Sequence, residues 1–544
     1  MVVTKHRRRK LLFSGALRIV FKLILLQVLW LPIATFAQFS FVTNSDNTIV
    51  ITGYTGPAGE VTIPDTINGY PVTSIGASAF QGKTGVTRVS VSGSVTNIGN
   101  FAFQSCSGLT NVILGSNVLN LGRSAFQSCF KLRNVVIPDA ATNVGDLAFQ
   151  SCSGLTNVTI GTNVLTIGNS AFKGCSGLTN ISIGRSVLHI GSAAFVGCSN
   201  LTAFTVNDAN PAFSSLAGVL FDKDQTILTG FPGAGAGSYV VPNSVATIGE
   251  WAFSECARLT NVLISVSVTN ISTQGFSKCT KLASINIPNG IARIGDWAFY
   301  LCSALAGIAL PNSLTSIGAE AFYQSGLTNI VIPDSVTEIG IGALEATPLR
   351  NVTVGSGVNS IPFGMLENCS SLTNVILPGS LNYIGTYAFA ECKNLSSITI
   401  PSGVTNIDGW AFFHCTGLKS IYFFGDAPTL GSFAFGGISF PVIVYFQPGT
   451  KGWSSTFSGF ATKYMFLPNP VILSDDGTFG VGTNGFGFTI AWATNASIVV
   501  ENCTNTSSLV WQPVQTNALT ADSVYFSDPQ WTNHLHRLYR VRSH

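Results

Sequence analysis

Apolar residues fall along this chain in one recurring figure. In LTNVTIGTNVLTIGNSAFKGCSG, Leu155, Val158 and Ile160 place apolar side chains on one face of a short extended piece. A second extended piece carries Val164 and Ile167, and Gly168 turns the chain. Ala171 and Phe172 then point inward from a tight turn or single helical turn, and Cys175 fills the last corner. Ser, Thr and Asn take most outward positions. Where Pro138, Pro288, Pro333 or Pro378 follows the first strand, the ladder cannot continue.

The figure repeats every 23 residues. Its anchor recurs at Phe80, Phe103, Phe126, Phe149, Phe172 and Phe195, and resumes at Phe253, Phe276, Phe299 and Phe322. It continues through Leu344 and Leu366 to Phe389, Phe412 and Phe435. One such coil cannot stand alone, because ordering its backbone offsets what its few apolar side chains gain. Stability must come from stacking coil on coil in a long, capped array. Stacked at strand spacing, the rod is about 75 Å long. The steps from Phe322 to Leu344 and from Leu344 to Leu366 are each 22 residues, and both coils lack the cysteine. The corner that holds the cysteine elsewhere is expected to be shortened there.

The phrase L-x-x-[VI]-x-[IL]-x-x-N, as in Leu109-Val112-Leu114-Asn117 and Leu155-Val158-Ile160-Asn163, matches a leucine-rich repeat. With I-G-x-x-A-F-x-x-C-x-x-L-T and the 23-residue period, it resembles the BspA-like leucine-rich repeat subclass of bacterial surface proteins. The resemblance runs from about Phe39 to Leu467. It implies a leucine-rich-repeat solenoid, mostly β with short helical turns. Residues 199–250, containing NPAFSSLAGVLFDKDQTILTGFPGAGAGSYVVP, look like a long variant coil with a hairpin inserted into the rod. It also implies attachment to matrix proteins, other cells or surfaces.

Composition narrows the class. Only 9% of residues are charged and 46% are hydrophobic, which excludes a disordered chain. The formal charge of +3 arises in the first 22 residues; without the seven basic residues there it becomes −4. No positive field remains to recruit nucleic acid. That basic stretch leads into LILLQVLWLPIATFA, which reads as residues 1–37 of a cleaved export signal. Three segments are therefore expected: the signal (1–37), the repeat array (38–467) and a C-terminal β module (468–544). The last, with GFGFTIAWA, SIVVENC, LVWQPV, SVYFSD and RLYRVR, reads as a small β-sandwich. No membrane span is expected after cleavage, and a monomer is expected.

Candidate chemistry is sparse. Eleven of the twelve cysteines occupy one repeat position, and they read as a ladder of buried thiols. His534 and His536 could share a strand face but have no third ligand nearby. Asp222 and Asp224 fit a solvated hairpin turn better than calcium. Gly480-Val481-Gly482-Thr483-Asn484-Gly485 spells a dinucleotide fingerprint but leads into a strand, where no helix N-terminus can hold pyrophosphate. No catalytic site, cofactor or metal is expected. Contacts to an extracellular protein or glycan would fall on the outward ladder residues Thr110, Asn111, Thr156, Asn157, Thr179, Asn180, Thr260 and Asn261. The competing readings are a structural spacer presenting the C-terminal module and a glycan-active enzyme.

Overall fold

The computed structural model describes residues 38–438, 441–465, 470–473, 479–482, 485–491, 497–504, 510–518, 523–533 and 537–543. The expected export signal lies outside them. A regular coil lays down one short strand, such as Asn157–Thr159, and a second of two residues, such as Thr166–Ile167; the coil that begins at Leu305 lacks the first. The two strands pair in parallel with the coil before: Asn134 opposes Asn157, and Asn143 opposes Thr166. Leu155, Val158, Val164, Ile167, Ala171, Phe172 and Cys175 are buried, as their spacing requires, while Ile160 is half-buried at the rim. The result is a mostly-β solenoid.

The third side corrects the sequence reading. The expected helical turn is absent, and among the described residues the one helical piece is a 3-10 turn at Trp531–Asn533. Each corner is instead a run of tight turns with left-handed residues two before and two after the anchor. Ser124 and Ser128 have φ of 53° and 60°, and Leu147 and Ser151 have 59° and 60°. Such backbone is unfavourable for residues other than glycine. It persists because it turns alternate N–H groups along the rod. Those of Ser124, Phe126 and Ser128 donate to the carbonyls of Asp146, Ala148 and Gln150 in the next coil at 2.8, 2.7 and 2.8 Å. A helix would direct them back along its own axis. Stacking is close enough to dictate glycine after the second strand: a Cβ on Gly145 or Gly168 would sit 2.6 or 2.5 Å from the preceding coil's backbone.

Inside the corner the anchors form a column. From Phe80 to Phe195 successive ring centroids lie 4.8 to 5.6 Å apart, nearly parallel beyond the first pair. The cysteines stand beside it as buried free thiols, and each donates to the anchor carbonyl of the preceding coil. Cys129, Cys152 and Cys175 reach the carbonyls of Phe103, Phe126 and Phe149 at 3.2, 3.1 and 3.1 Å. In the two 22-residue coils Ser325 and Thr347 hold the cysteine position, and the deletion falls just after it. Thr347 bonds its own coil's Leu344 carbonyl, while Ser325 Oγ has no partner among the described residues.

The variant coil interrupts the rod. Phe213–Leu216 pairs antiparallel with Val219–Asp222, which pairs antiparallel with Ile227–Gly230. The last rejoins the stack in parallel with Thr247–Ile248. The array core is two clusters, and Val219–Asp222 belongs to both: Leu220 packs toward the N-terminal one, Val219 and Phe221 toward the other. Phe39 and Tyr54 close one end of the rod over Phe80, and Trp453, Phe457 and Phe460 close the other. Beyond it, Gly485–Ala491 and Ser497–Cys503 sit in two antiparallel sheets sharing a small cluster of Phe488, Ile490, Ile498, Val500 and Phe526.

Two outcomes follow from the stack. Phe149→Ala removes a ring packed on both faces and should cost about 3–5 kcal/mol in urea unfolding; a loss below about 1 kcal/mol would show the column to be dispensable. Burial pushes the thiols of Cys198, Cys256, Cys302 and Cys415 up to about 12. A thiol reagent at pH 8 should therefore leave the folded ladder largely unlabelled and modify it fully in denaturant. Fewer than about eight reactive thiols in denatured protein would mean the ladder is disulfide-bonded.

Candidate binding surface

The first strands of successive coils contribute to an outward face that is interrupted at the coil beginning with Leu305. Asn111 and Ile113 flank the inward Val112 and share that face. Register carries the pattern from coil to coil, with Asn111 opposite Asn134 and Asn134 opposite Asn157. Of the expected contact residues, Thr110, Thr156, Asn157, Thr179, Asn180 and Thr260 are exposed, and Asn111 and Asn261 are half-buried. Many are already engaged within the rod. Thr110 and Thr156 donate to the carbonyls of Thr87 and Arg133 in the preceding coil at 2.9 and 3.1 Å. Asn180 accepts from Thr202 at 3.1 Å, and Asn261 donates to Ser238 at 3.1 Å. These hydroxyls and amides clip coils together while facing solvent.

The sequence reading missed the apolar component of the same face. Ile113 and Val136 are 55% and 61% exposed, and Leu263, Val331 and Ile376 are likewise exposed. Tyr422 and Tyr445 continue the row, stacked 5.0 Å apart. The signal was present, since the residue after the inward Val or Ile is itself apolar or aromatic in these coils. The face is thus a discontinuous β-branched and aromatic stripe edged with Thr and Asn.

The corner side carries a different surface. Gln81, Gln104, Gln127 and Gln150 form an amide ladder, each donating to the next. Further along, Glu320, Glu345, Glu367 and Glu391 come close in successive coils. Partial burial, then Glu367 and Glu320, pushes the Glu345 carboxyl up to about 7. Glu367 is also raised, by burial and by Glu391. Glu391 is held low instead, chiefly by Lys393 at 2.9 Å, with His414 at 2.8 Å.

The remaining candidates resolve simply. Both oxygens of Asp222 brace the hairpin turn, accepting from Thr226 Oγ1 at 2.6 Å and Ile227 N at 2.7 Å. Gly480–Gly482 is a strand paired with Gly485–Ala491, and Thr483 and Asn484 between them lie outside the described residues. His534 and His536 also lie outside them. Among the described residues no group of three or more His, Cys, Asp or Glu is placed to hold a metal ion. No helix there is long and apolar enough to cross a membrane.

The model of the BspA type leucine-rich repeat region matches residues 73–202, 231–348 and 339–460, breaking where the hairpin enters. The chain belongs to the BspA-type leucine-rich repeat family. Among solved structures, this BspA-type chain is similar to a leucine-rich cell surface protein from Faecalibacterium prausnitzii A2-165. The two are 29% identical with a TM-score of 0.48, covering 65% of this chain and 96% of that one. It is also similar to the pneumococcal vaccine antigen PcpA, at 21% identity and TM-score 0.48 over 75% of this chain and 91% of that one. A leucine-rich repeat protein from Bacteroides ovatus matches at 24% identity and TM-score 0.43, over 79% of this chain and 98% of that one. No curated protein sequence matches the chain.

The raised Glu345 carboxyl in the acidic row of this BspA-type array predicts a pH response. A carboxyl whose folded value is raised gives its stability below the unfolded value near 4.5 and loses it as pH climbs through about 7. The thermal midpoint should therefore fall between pH 5 and 8, and Glu345→Gln should flatten part of that fall. An unchanged slope in the variant would remove Glu345 as the cause.

Proposed function

We propose that this is a secreted or cell-surface bacterial protein that binds an extracellular protein or glycan along the strand face of its array, without catalysis. The observation that carries the reading is the stripe itself: exposed Ile113, Val136, Leu263, Val331 and Ile376 on a face otherwise dressed in Thr and Asn. Apolar side chains left in water along one face, with polar edges, suit contact with another macromolecule. Many equivalent weak contacts along a rigid rod add through effective concentration. Family membership supports the same reading. In this proposal residues 1–37 direct export and are removed. Residues 468–544 form a β-sandwich-like module that anchors the rod or adds a second surface.

The spacer reading is favoured by one observation, the separate apolar cluster of the C-terminal sheets. Binding to matrix proteins, glycans and whole cells by the full chain, by residues 38–467 and by Val136→Asp/Val331→Asp separates the two. The proposal expects the array alone to bind and the double variant to lose at least about tenfold in affinity with an unchanged unfolding midpoint. Binding that survives the double variant but vanishes with residues 468–544 would make the rod a spacer.

A further inference from the structure

We propose that the cleft beside the hairpin insert receives a short, glycine-rich stretch of a partner protein's backbone, which supplies the ladder layer that this chain's own corner fails to make. In most regular coils the N–H groups two before, at and two after the anchor all bond the next coil. Ser170, Phe172 and Gly174 reach the carbonyls of Ser192, Ala194 and Val196 at 2.9, 2.9 and 2.8 Å. One coil later the corresponding N–H groups of Ala193, Phe195 and Gly197 have no hydrogen-bond partner among the described residues. The register shows why. Eleven residues separate Leu228 from Tyr239, where fourteen separate their partners Ile248 and Val262. The variant coil's corner is three residues short and draws away from the coil before it.

A cavity of about 190 Å³ opens where those residues would lie, lined by Ala193, Phe195 and Gly197 on one wall and by Glu250 and Ser254 on the other. Phe231 makes only the middle rung on the far side, donating to the carbonyl of Ala252 at 2.7 Å. The Glu250 carbonyl accepts no hydrogen bond among the described residues, and the Ser254 carbonyl meets only the Cys256 thiol at 4.0 Å. Ser254 is 5% exposed, yet its Oγ has no partner either. Ser254 is buried and the other unpaired groups belong to half-buried or exposed residues, so the two walls offer a row of hydrogen bonds that an occupant can make in place of water.

The fold itself specifies that occupant. The Phe435 corner, where the stack ends, leaves this row of donors open among the described residues as this one does. Apart from this corner and that of Phe231, the corners from Phe80 to Phe412 satisfy the row wholly or, where the Tyr387 N–H is unpaired among the described residues, at two of three positions. They do so with carbonyls from alternate residues of a chain in the same turn conformation. Flanking residues of such a chain are left-handed, which glycine adopts without strain. The space holds about six waters by liquid volume, enough for backbone and small side chains. Glu250, whose carboxylate meets only Ser192 Oγ at 3.4 Å, and Glu255, paired with Lys278 at 2.9 Å, disfavour an anionic ligand and suit a flanking basic residue. This is backbone recognition of the strand-addition kind, at a corner instead of a sheet edge.

Hydrogen exchange on the full chain tests it, with acetyl-Gly-Gly-Ser-Gly-Lys-amide at millimolar concentration as the probe. The peptide should slow exchange in residues 191–198 by about fivefold or more and leave 168–175 unchanged. Inserting Gly-Asn-Gly between Gly230 and Phe231 should slow the same amides without peptide and abolish the response. Ser254→Phe, which leaves the chain length intact, should abolish it too. No protection by the peptide, or protection that survives both variants, would overturn the proposal. Protection by maltotriose and not by the peptide would overturn it in favour of a sugar site. None of these outcomes depends on whether the strand face binds.

Discussion

Successive coils must sit one backbone hydrogen bond apart on three sides at once, and the rest of the structure follows from that spacing. Two sides meet it with parallel strands. The corner meets it by accepting left-handed residues such as Ser124 and Leu147, so that alternate N–H groups point along the rod. A flat aromatic ring stacks at nearly the same distance, which makes phenylalanine a natural spacer for the column. Thiols reach the preceding carbonyl without adding bulk, and glycine follows the second strand because a Cβ there would meet the neighbouring backbone.

Departures show how much each element matters. The consecutive coils anchored by Phe322 and Leu344 lose a residue after the cysteine position, the second also has Leu in place of Phe, and both keep all three corner rungs, as in Leu344 to Met365 at 3.0 Å. The ladder therefore survives without rings or thiols, provided the corner keeps its turns. The variant coil keeps a phenylalanine, Phe231, and loses rungs because its corner is short. Backbone length governs the stacking, and side chains fill the space it leaves.

This hierarchy explains what could be read from the chain. The period, the anchors, the cysteine column and the inserted hairpin were legible because each constrains residue type. The corner conformation was not: its left-handed positions are held by Phe101, Ser124, Leu147, Ser170 and Trp251, which share no chemistry that marks the backbone. Thr110 and Thr156 were legible as outward residues, but not as clips to the preceding carbonyl. The apolar stripe was hidden by its neighbours, since Ile113 and Val136 read as core beside the inward Val112 and Val135. The cleft depends on a length difference between Leu228–Tyr239 and Ile248–Val262, and that appears only once strand register is known.

The strand Val219–Asp222 carries a mechanical consequence. Because its two faces serve separate cores, cooperativity along the stack is interrupted there by a partition one strand thick. In a solenoid each coil is supported only by its neighbours, so an interruption of this kind divides the rod into two folding units joined in series. Under tension between the two ends, such a rod yields one half at a time. The intact half keeps its length and its surface while the other extends.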